Sequence, residues 1–298
     1  MNIIKVLVVI SFAYLVVACG GAEERKAAYL EKAQQSLDAG DLDKARIELK
    51  NVLQIDPKDA RARFQLGNVF DKKKEYRKAF QNYNKAAELD PQNPEYQAKL
   101  GRYYLILAGD VQKAIEKLEL IQSIDKDNIN GRILEAGILI KQGKASDARE
   151  ISRNIFEDHP DNIENALLLA SLYSQDKAYD DAINVLDQAI EQNPGNQGLI
   201  SNLANTLFAN KDYARSEQVL KEMLNLHPEV FRNHLILAQF YQKTNESAKA
   251  EEVLRAAIKV DEEDVKRKLV LIEFIQQTKG SEQAISELQE IIKNNSAE

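Results

Sequence analysis

Five of the six prolines in this chain recur at a nearly constant interval. The intervals are 34, 69, 34 and 34 residues, and the prolines are Pro57, Pro91, Pro160, Pro194 and Pro228. The interval of 69 is two periods of 34 with one residue inserted. A period of this length accommodates two helices and a turn, so the spacing predicts a stack of helical hairpins in which a proline separates one hairpin from the next.

The composition supports a helical chain. The 298 residues include only 12 glycines and no tryptophan, whereas Ala, Leu, Lys, Glu and Gln, which favour helices, are abundant. Residues that favour strands do not gather into alternating runs. Hydrophobic residues make up 44% of the chain, which is enough to bury a long core. We therefore predict an all-α fold.

Several positions within the period keep their character from one repeat to the next. Eight repeats can be counted, beginning near Lys26, Ala60, Pro94, Ile129, Ile163, Gln197, Phe231 and Val265. The eighth place is small and lets helices approach closely, as Gly67, Gly101, Ala136, Ala170, Ala204 and Ala238. The twentieth place is small too, as Ala45, Ala79, Ala148, Ala182, Ser216, Ala250 and Ala284, with Ala114 displaced by the insertion. Four residues later, on the same helical face, larger side chains should fill the space between hairpins: Leu49, Tyr83, Leu118, Leu186, Leu220, Leu254 and Leu288.

This pattern resembles the tetratricopeptide repeat family, whose repeat is 34 residues long. The resemblance covers the chain from Lys26 to about Lys293. It implies a right-handed superhelical solenoid of about eight hairpins over residues 26–298, with the recurring positions in the core.

The first 18 residues have the pattern of a signal peptide. Lys5 is the only charged residue before Glu23, and the apolar run over residues 6–17 is interrupted only by Ser11 and Tyr14. A membrane-spanning helix needs about 20 apolar residues. The shorter run predicts a cleaved signal peptide over residues 1–18.

The end of this segment resembles a bacterial lipoprotein signal, because Leu15, Val16, Val17 and Ala18 lead directly into Cys19. The resemblance implies lipidation of the Cys19 thiol, cleavage before Cys19, and a flexible tether over residues 19–25. In the lipoproteins that this signal resembles, aspartate after the lipidated cysteine retains the protein at the inner membrane. Because this chain has Gly20 there, the resemblance points to a periplasm-facing lipoprotein of the outer membrane. The alternative is an unmodified signal peptide, or an uncleaved signal anchor, with an incidental cysteine.

Charge and motifs exclude several function classes. The net charge is −7 and the pI is near 5.3. Nucleic-acid-binding proteins usually have a basic surface, so nucleic acid is not expected as a partner. One cysteine and three histidines are too few for a disulfide framework or a Cys/His metal cluster. The sequence has no glycine-rich phosphate loop, HExxH or GxSxG motif. We therefore expect no enzymatic activity, no metal and no cofactor.

In tetratricopeptide proteins the first helices line a concave groove that holds a protein partner. The resemblance places these residues in the groove: Arg61, Phe64, Asn68, Lys72, Lys99, Arg102, Ile133, Leu134, Leu168, Ser171, Asn202, Asn205, Arg232 and Gln239. Asparagine and glutamine both donate to and accept from a peptide backbone, which suits an extended partner segment. The alternative is that most of these side chains are tolerated surface residues and a minority carries the binding energy.

One known groove chemistry is excluded. Members that clamp a chaperone's C-terminal carboxylate need a lysine where this chain has Leu30, Phe64, Ile133 and Ser201. The remaining expectation is a lipid-anchored scaffold that assembles an envelope complex. It is similar to tetratricopeptide lipoproteins of pilus assembly, of exopolysaccharide or PEP-CTERM export, and of cell-wall machinery.

Two alternatives to this function stay open. One is an adaptor or regulator of an envelope hydrolase, and the other is a small-ligand receptor or enzyme with a cryptic pocket. In addition, no helix follows to cover the last hairpin. Its outer face could form a homodimer contact or continue into a longer array.

Overall fold

The structure, a computed structural model, describes the backbone of residues 3–295 and the side chains of residues 21–293. All regular structure within residues 3–295 is helical, as predicted. The helices are α1 (Ile3–Asp38), α2 (Leu42–Ile55), α3 (Ala60–Lys72), α4 (Tyr76–Leu89), α5 (Pro94–Tyr103), α6 (Val111–Ile124), α7 (Ile129–Lys141), α8 (Ala145–Asp158), α9 (Ile163–Gln175), α10 (Tyr179–Gln192), α11 (Gln197–Ala209), α12 (Tyr213–Leu226), α13 (Phe231–Lys243), α14 (Ser247–Val260), α15 (Val265–Lys279) and α16 (Ser281–Asn295).

Odd-numbered helices are the first helices of the hairpins. From α3 onward they begin at the residues from which the repeats are counted. Helix α1 begins earlier and includes residues 21–25, which the sequence analysis assigns to a flexible tether. The predicted lipidation site, Cys19, lies outside the residues whose side chains are described. No helix among the described residues is long and apolar enough to span a bilayer.

Most first helices from α3 onward begin at an Asp or Asn cap, whereas α13 begins after Val230, which provides no side-chain cap. Asp59 accepts a hydrogen bond from the backbone N–H of Ala62, and Asn196 accepts one from that of Leu199. Such caps satisfy backbone donors that have no partner within the helix. Asn93, Asn128, Asn162 and Asp264 act in the same way.

The first seven hairpins each turn through one residue with a positive φ near the left-handed helical value. These residues are Gly40, Lys74, Gly109, Gly143, Lys177, Lys211 and Asn245. At Lys74, for example, the backbone N–H donates to Asp71 O over 2.9 Å, and the N–H of Glu75 donates to Phe70 O over 2.8 Å. These bonds satisfy carbonyl groups at the end of α3.

The inserted residue of the third hairpin is absorbed at the end of α5. Residues Tyr104–Ala108 form a π-helical turn, and Gly109 follows with a φ of 64°. A wider turn takes up one extra residue without breaking the helix. It also exposes two aliphatic side chains, Ile106 and Leu107.

The chain divides into two compact units, Met1–Ile151 and Ser152–Glu298. The first unit has an aromatic core in its second and third hairpins, where Phe64, Phe70, Tyr83, Tyr96 and Tyr103 are buried. The core of the second unit is mainly aliphatic, with Phe156, Phe240, Tyr241 and Phe274 as its buried aromatic residues among those described.

The small residues predicted at the twentieth place are buried throughout, and Ala45, Ala79, Ala148 and Ser216 are completely inaccessible. The larger side chains four residues later are also buried, except in the last hairpin. There Leu288 remains 40% exposed.

Polar side chains near the start of some first helices bind the preceding second helix, which sequence reasoning missed. Gln97 donates to Ala87 O, Asn233 to Met223 O and Arg267 to Ala257 O. Each bond spans ten residues and satisfies a carbonyl near the end of a second helix. These buried residues therefore hold successive hairpins together.

Candidate functional site

Sequence reasoning directs attention to the first helices, and the structure separates the predicted groove residues into three groups. Phe64, Ile133 and Leu134 form the first group and are buried. The Phe64 ring lies 4.6 Å from the Tyr96 ring and 5.5 Å from the Tyr83 ring, measured between centroids. These three residues are core residues rather than groove residues. Their apolar character was a signal that could have excluded them.

The second group belongs to a polar network in the first unit. Asp71, near the end of α3, accepts hydrogen bonds from Tyr103 Oη at 2.6 Å and Tyr83 Oη at 3.4 Å, and its carboxylate lies 3.0 Å from Lys99 Nζ. The single Tyr83 hydroxyl proton is shared between Asp71 and Asn68 Oδ1, and the contact to Asn68, at 2.8 Å, is the shorter. The predicted residues Asn68 and Lys99 are thus brought together, but their polar groups already have partners.

Electrostatics reinforce this network. Lys99 Nζ lies 5.3 Å from the centroid of the Tyr83 ring, within the range of a cation–π interaction. Burial raises the pKa of the Tyr83 and Tyr103 hydroxyl groups well above the ordinary value, so both remain donors at neutral pH. Burial lowers the pKa of the neighbouring Arg102 guanidinium to about 10, which still leaves it protonated.

Sequence reasoning missed Asp71, the centre of this network. Its partners Lys99 and Tyr103 are 28 and 32 residues away along the chain. The repeat period predicts that neighbouring first helices pack side by side, but it does not predict which rotamers meet.

The third group is exposed. In the first unit it contains Arg61 and Lys72, at the two ends of α3. In the second unit Asn202, Asn205, Arg232 and Gln239 are exposed, together with Ser171, whereas Leu168 is half-buried. Ser171 Oγ accepts a hydrogen bond from Gln175 at 3.5 Å, and Asn202 Nδ2 donates to Gly198 O at 2.9 Å.

Two of these exposed residues meet in one cleft of the second unit. Asn205 on α11 and Gln239 on α13 line a space of about 40 Å³. Its apolar wall is mainly aromatic and aliphatic, from Phe208, Leu220, Ile236 and Phe240. Lys243 stands at the same cleft, with Nζ 5.4 Å from the centroid of the Phe208 ring.

A second cleft adjoins the first through Gln239. It lies between α13 and α15, has a volume of about 120 Å³, and is lined by Leu235, Ala238, Gln239, Gln242, Leu254, Val270, Glu273, Phe274 and Gln277. Amide side chains therefore follow one another across three first helices, above apolar side chains. We call this surface the amide face; its residues are Asn205, Gln239, Gln242 and Gln277.

The side chains of the amide face are of a kind that can pair with a peptide backbone. Side-chain amides bond to backbone N–H and C=O groups alike, and the apolar wall can take up alternate side chains. Asn202 and Arg232 are exposed but line neither cleft.

None of the three histidines lines either of the two clefts. His234 is buried, and its burial lowers the pKa of the imidazole. His227 Nδ1 lies 3.6 Å from Glu229 in an inter-hairpin turn. Among the described residues, no three His, Cys, Asp or Glu side chains converge on a metal position.

Comparison with known proteins settles the family. A sequence profile described as tetratricopeptide repeat matches residues 36–103, 105–172, 139–203, 173–229 and 207–267, which is more than half of the chain. The chain belongs to the tetratricopeptide repeat family. Proteins of this family are protein-interaction scaffolds, and this chain has the same repeat architecture.

Individual relatives are more distant. The BBSome complex member BBS4 of Bos taurus is 37% identical over 99 residues, a stretch that spans 33% of this chain and 18% of that protein. A tetratricopeptide repeat protein of Parabacteroides merdae is 16% identical, with a TM-score of 0.49 over 85% of this chain and 99% of that one.

Two further solved structures show similar helical repeats. One is pilF of Pseudomonas aeruginosa, 20% identical, with a TM-score of 0.46 over 75% of this chain and 99% of that one. The other is the MamA protein, 20% identical, with a TM-score of 0.40 over 57% of this chain and 92% of that one.

Proposed function

We propose that this tetratricopeptide protein is a lipid-anchored scaffold that binds an extended protein segment on its amide face and so helps to assemble a bacterial envelope complex. The main support for this binding site is the pair of adjoining clefts, both of which Gln239 lines. Exposed amides above apolar walls match the needs of an extended backbone with alternating side chains.

The amide face narrows the binding site inferred from the sequence. Of the predicted groove residues, Asn205 and Gln239 line the clefts, whereas Phe64 and Leu134 are buried in the first unit. Asn68 and Lys99 are committed to the Asp71 network. Binding energy should therefore depend chiefly on the second unit.

Tagged full-length protein, purified from membranes in detergent, tests the binding site. We expect Asn205→Ala combined with Gln239→Ala to lose the co-purifying protein that the unaltered chain retains. With that partner purified, the double variant should dissociate roughly tenfold faster or more, because changes in one interface act mainly on the off-rate. Circular dichroism should show unchanged helical content.

Two controls make this test specific. Asn184→Ala with Gln188→Ala removes two exposed amides from the second helix α10, and Asn202→Ala with Arg232→Ala removes groove residues outside the clefts. Both pairs should bind like the unaltered chain. If the α10 double variant loses binding while the Asn205 and Gln239 double variant retains it, the partner binds to the second helices instead.

The lipid anchor rests on the sequence from Leu15 to Cys19. We expect acyl mass on the N-terminal peptide that starts at Cys19, and release from the membrane when Cys19→Ser prevents lipidation. Gly20→Asp offers a matched change that should keep the acyl mass but shift the protein to the inner membrane. If the Cys19→Ser variant, which carries no acyl group, still fractionates with the membrane like the parent, the lipoprotein assignment is wrong.

A further inference from the structure

The first unit contains a wide cleft that the proposed function does not use. It opens between α2 and the second hairpin, with a volume of about 500 Å³. Its floor is apolar and its rim is cationic, with Leu53, Leu66 and Phe70 in the floor and Lys50, Arg63 and Lys78 around it. None of the nine lining residues, all of them within the described part of the chain, is acidic.

The cationic groups on this rim are only partly compensated. Lys78 pairs with Glu75, and its Nζ lies 5.5 Å from the centroid of the Phe70 ring. Arg63 donates to Pro57 O at 3.4 Å, but its buried Nε has no hydrogen-bond partner among the described residues. Lys50 is exposed. The cleft is therefore suited to apolar side chains presented by an acidic surface.

The last hairpin presents such side chains. Ile285 and Ile292 are each 56% exposed on α16, and Leu288 is 40% exposed. Spacings of three and four residues place them on one face of the helix, which we call the α16 stripe. Leu288 occupies the repeat position at which Leu254 is buried by the hairpin that follows. Exposed Glu282 lies one turn before Ile285.

The two units differ strongly in net charge. Residues 21–151 carry 24 Lys and Arg and 22 Asp and Glu, a net charge of +2. Residues 152–293 carry 15 Lys and Arg and 24 Asp and Glu, a net charge of −9. An α16 stripe paired with the α16 stripe of a second copy would bring two strongly acidic units together. Contact between a second unit and a first unit avoids this repulsion.

We propose that the α16 stripe of one copy docks into the cationic cleft in the first unit of a second copy. Ile285 and Leu288 fill the apolar floor, and the acidic second unit lies against Lys50 and Lys78. This contact joins two different surfaces, so a pair of copies joined by it still has one cleft and one stripe open. Successive copies then assemble head to tail.

Self-capture between two differently tagged, full-length copies in detergent tests this contact. We expect one tag to retain the other copy, and retention to weaken as salt rises to about 0.5 M, because exposed charges are screened. Ile285→Asp with Leu288→Asp in both copies should reduce retention by about tenfold or more. Lys50→Glu with Lys78→Glu in both copies should have a similar effect.

The decisive arm mixes the two variants. A copy altered only in the cleft still offers a stripe, and a copy altered only in the stripe still offers a cleft. Their mixture should regain retention and stop at a heterodimer. Matched controls are Leu226→Asp with Val260→Asp, two exposed apolar residues of the second unit, and Lys58→Glu with Lys85→Glu, two exposed lysines of the first. Both controls should self-associate normally.

Three outcomes would overturn the proposal. Absence of self-capture by the unaltered chain rejects self-association. Normal self-capture by the cleft variant indicates a symmetric contact through α16 instead. Failure of the mixture to regain retention would show that the two surfaces do not bind each other. This conclusion requires that each variant keeps its helical content. It also requires that the milder Ile285→Ser with Leu288→Ser reduces retention as the Asp pair does.

Discussion

Asp71 in the first unit and Gln242 in the second occupy the same place in their repeats, and they have opposite fates. Asp71 is surrounded by Tyr83, Tyr103 and Lys99 in a network that fixes neighbouring helices. Gln242 is exposed and lines a cleft beside Gln239. The same place in the repeat therefore supports internal packing in one unit and is exposed at a cleft in the other.

The aromatic residues of the first unit explain part of this difference. A Cβ added at Gly67 would lie 2.6 Å from two ring carbons of Tyr83. In three hairpins of the second unit the corresponding pair is alanine with leucine, for example Ala204 with Leu220. Glycine at the eighth place and tyrosine in the second helix therefore form one packing solution, and alanine with leucine forms another.

The largest stability effect should follow a change at this contact. We expect Gly67→Ala to lower the free energy of unfolding by about 1–3 kcal/mol, because the Tyr83 ring is buried and must move. Gly137→Ala is the matched control, since its new Cβ would lie 3.4 Å from Leu105, an ordinary contact. Urea unfolding of both variants measures the difference.

A second substitution sharpens this prediction. In a Tyr83→Leu background, Gly67→Ala should be much less damaging, because leucine recreates the arrangement of the second unit. Equal costs of Gly67→Ala in both backgrounds would show that the ring is not what excludes the methyl group.

The next effect concerns the polar network. We expect Asp71→Asn to destabilise the protein by about 1–2 kcal/mol, since it removes the partner of Lys99 and weakens two hydrogen bonds. Gln242→Ala, at the equivalent place of the second unit, should leave unfolding unchanged within about 0.5 kcal/mol. Similar losses of stability from both substitutions would contradict the view that Asp71 stabilises the fold and Gln242 does not.

These contrasts show how far sequence reasoning reaches. The 34-residue period predicted the hairpin boundaries, the buried alanines and the inserted residue, because each follows from chain-local spacing and helix geometry. The resemblance to the family placed Phe64, Asn68 and Asn205 in one groove. The structure instead makes Phe64 a core residue and bonds Asn68 to Tyr83, while Asn205 stays exposed. Those fates depend on which side chains meet from other helices of the same or the next hairpin, and on their rotamers, which periodicity does not encode.

A smaller effect should appear at the hairpin turns. Lys177 has a φ of 61° in the second unit, where the first unit has Gly143 with a φ of 78°. We expect Gly143→Ala to destabilise the protein by about 1 kcal/mol, because a Cβ is disfavoured in this region. Lys177→Gly should gain a few tenths of a kcal/mol, since relief of this cost is partly offset by the flexibility of glycine in the unfolded chain. Thermal melts that move in the same direction for both variants would contradict this account.

The smallest expected effect is the pH dependence that Glu217 of the second unit contributes to stability. Glu217 accepts hydrogen bonds from Lys221 and Tyr241, and these hold its pKa below the ordinary value of 4.5. A carboxylate with a depressed pKa adds stability that is fully present above the unfolded-state pKa and disappears as pH falls through the folded-state pKa. Because the side chain is 22% exposed, we expect only about 0.5 kcal/mol.

Glu217→Gln isolates this contribution, since the amide can still accept from Tyr241 but cannot be ionised. At pH 7 the variant should unfold at slightly lower urea concentration than the parent. The two unfolding curves should approach each other as pH falls below 4.5, because the parent loses its charge there. Lys221→Ala removes the cation that contributes most to the lowered pKa of Glu217, so it should reproduce most of the loss of stability at pH 7. A constant difference between parent and Glu217→Gln from pH 7 to pH 3 would mean that packing around Glu217, rather than its charge, stabilises this part of the second unit.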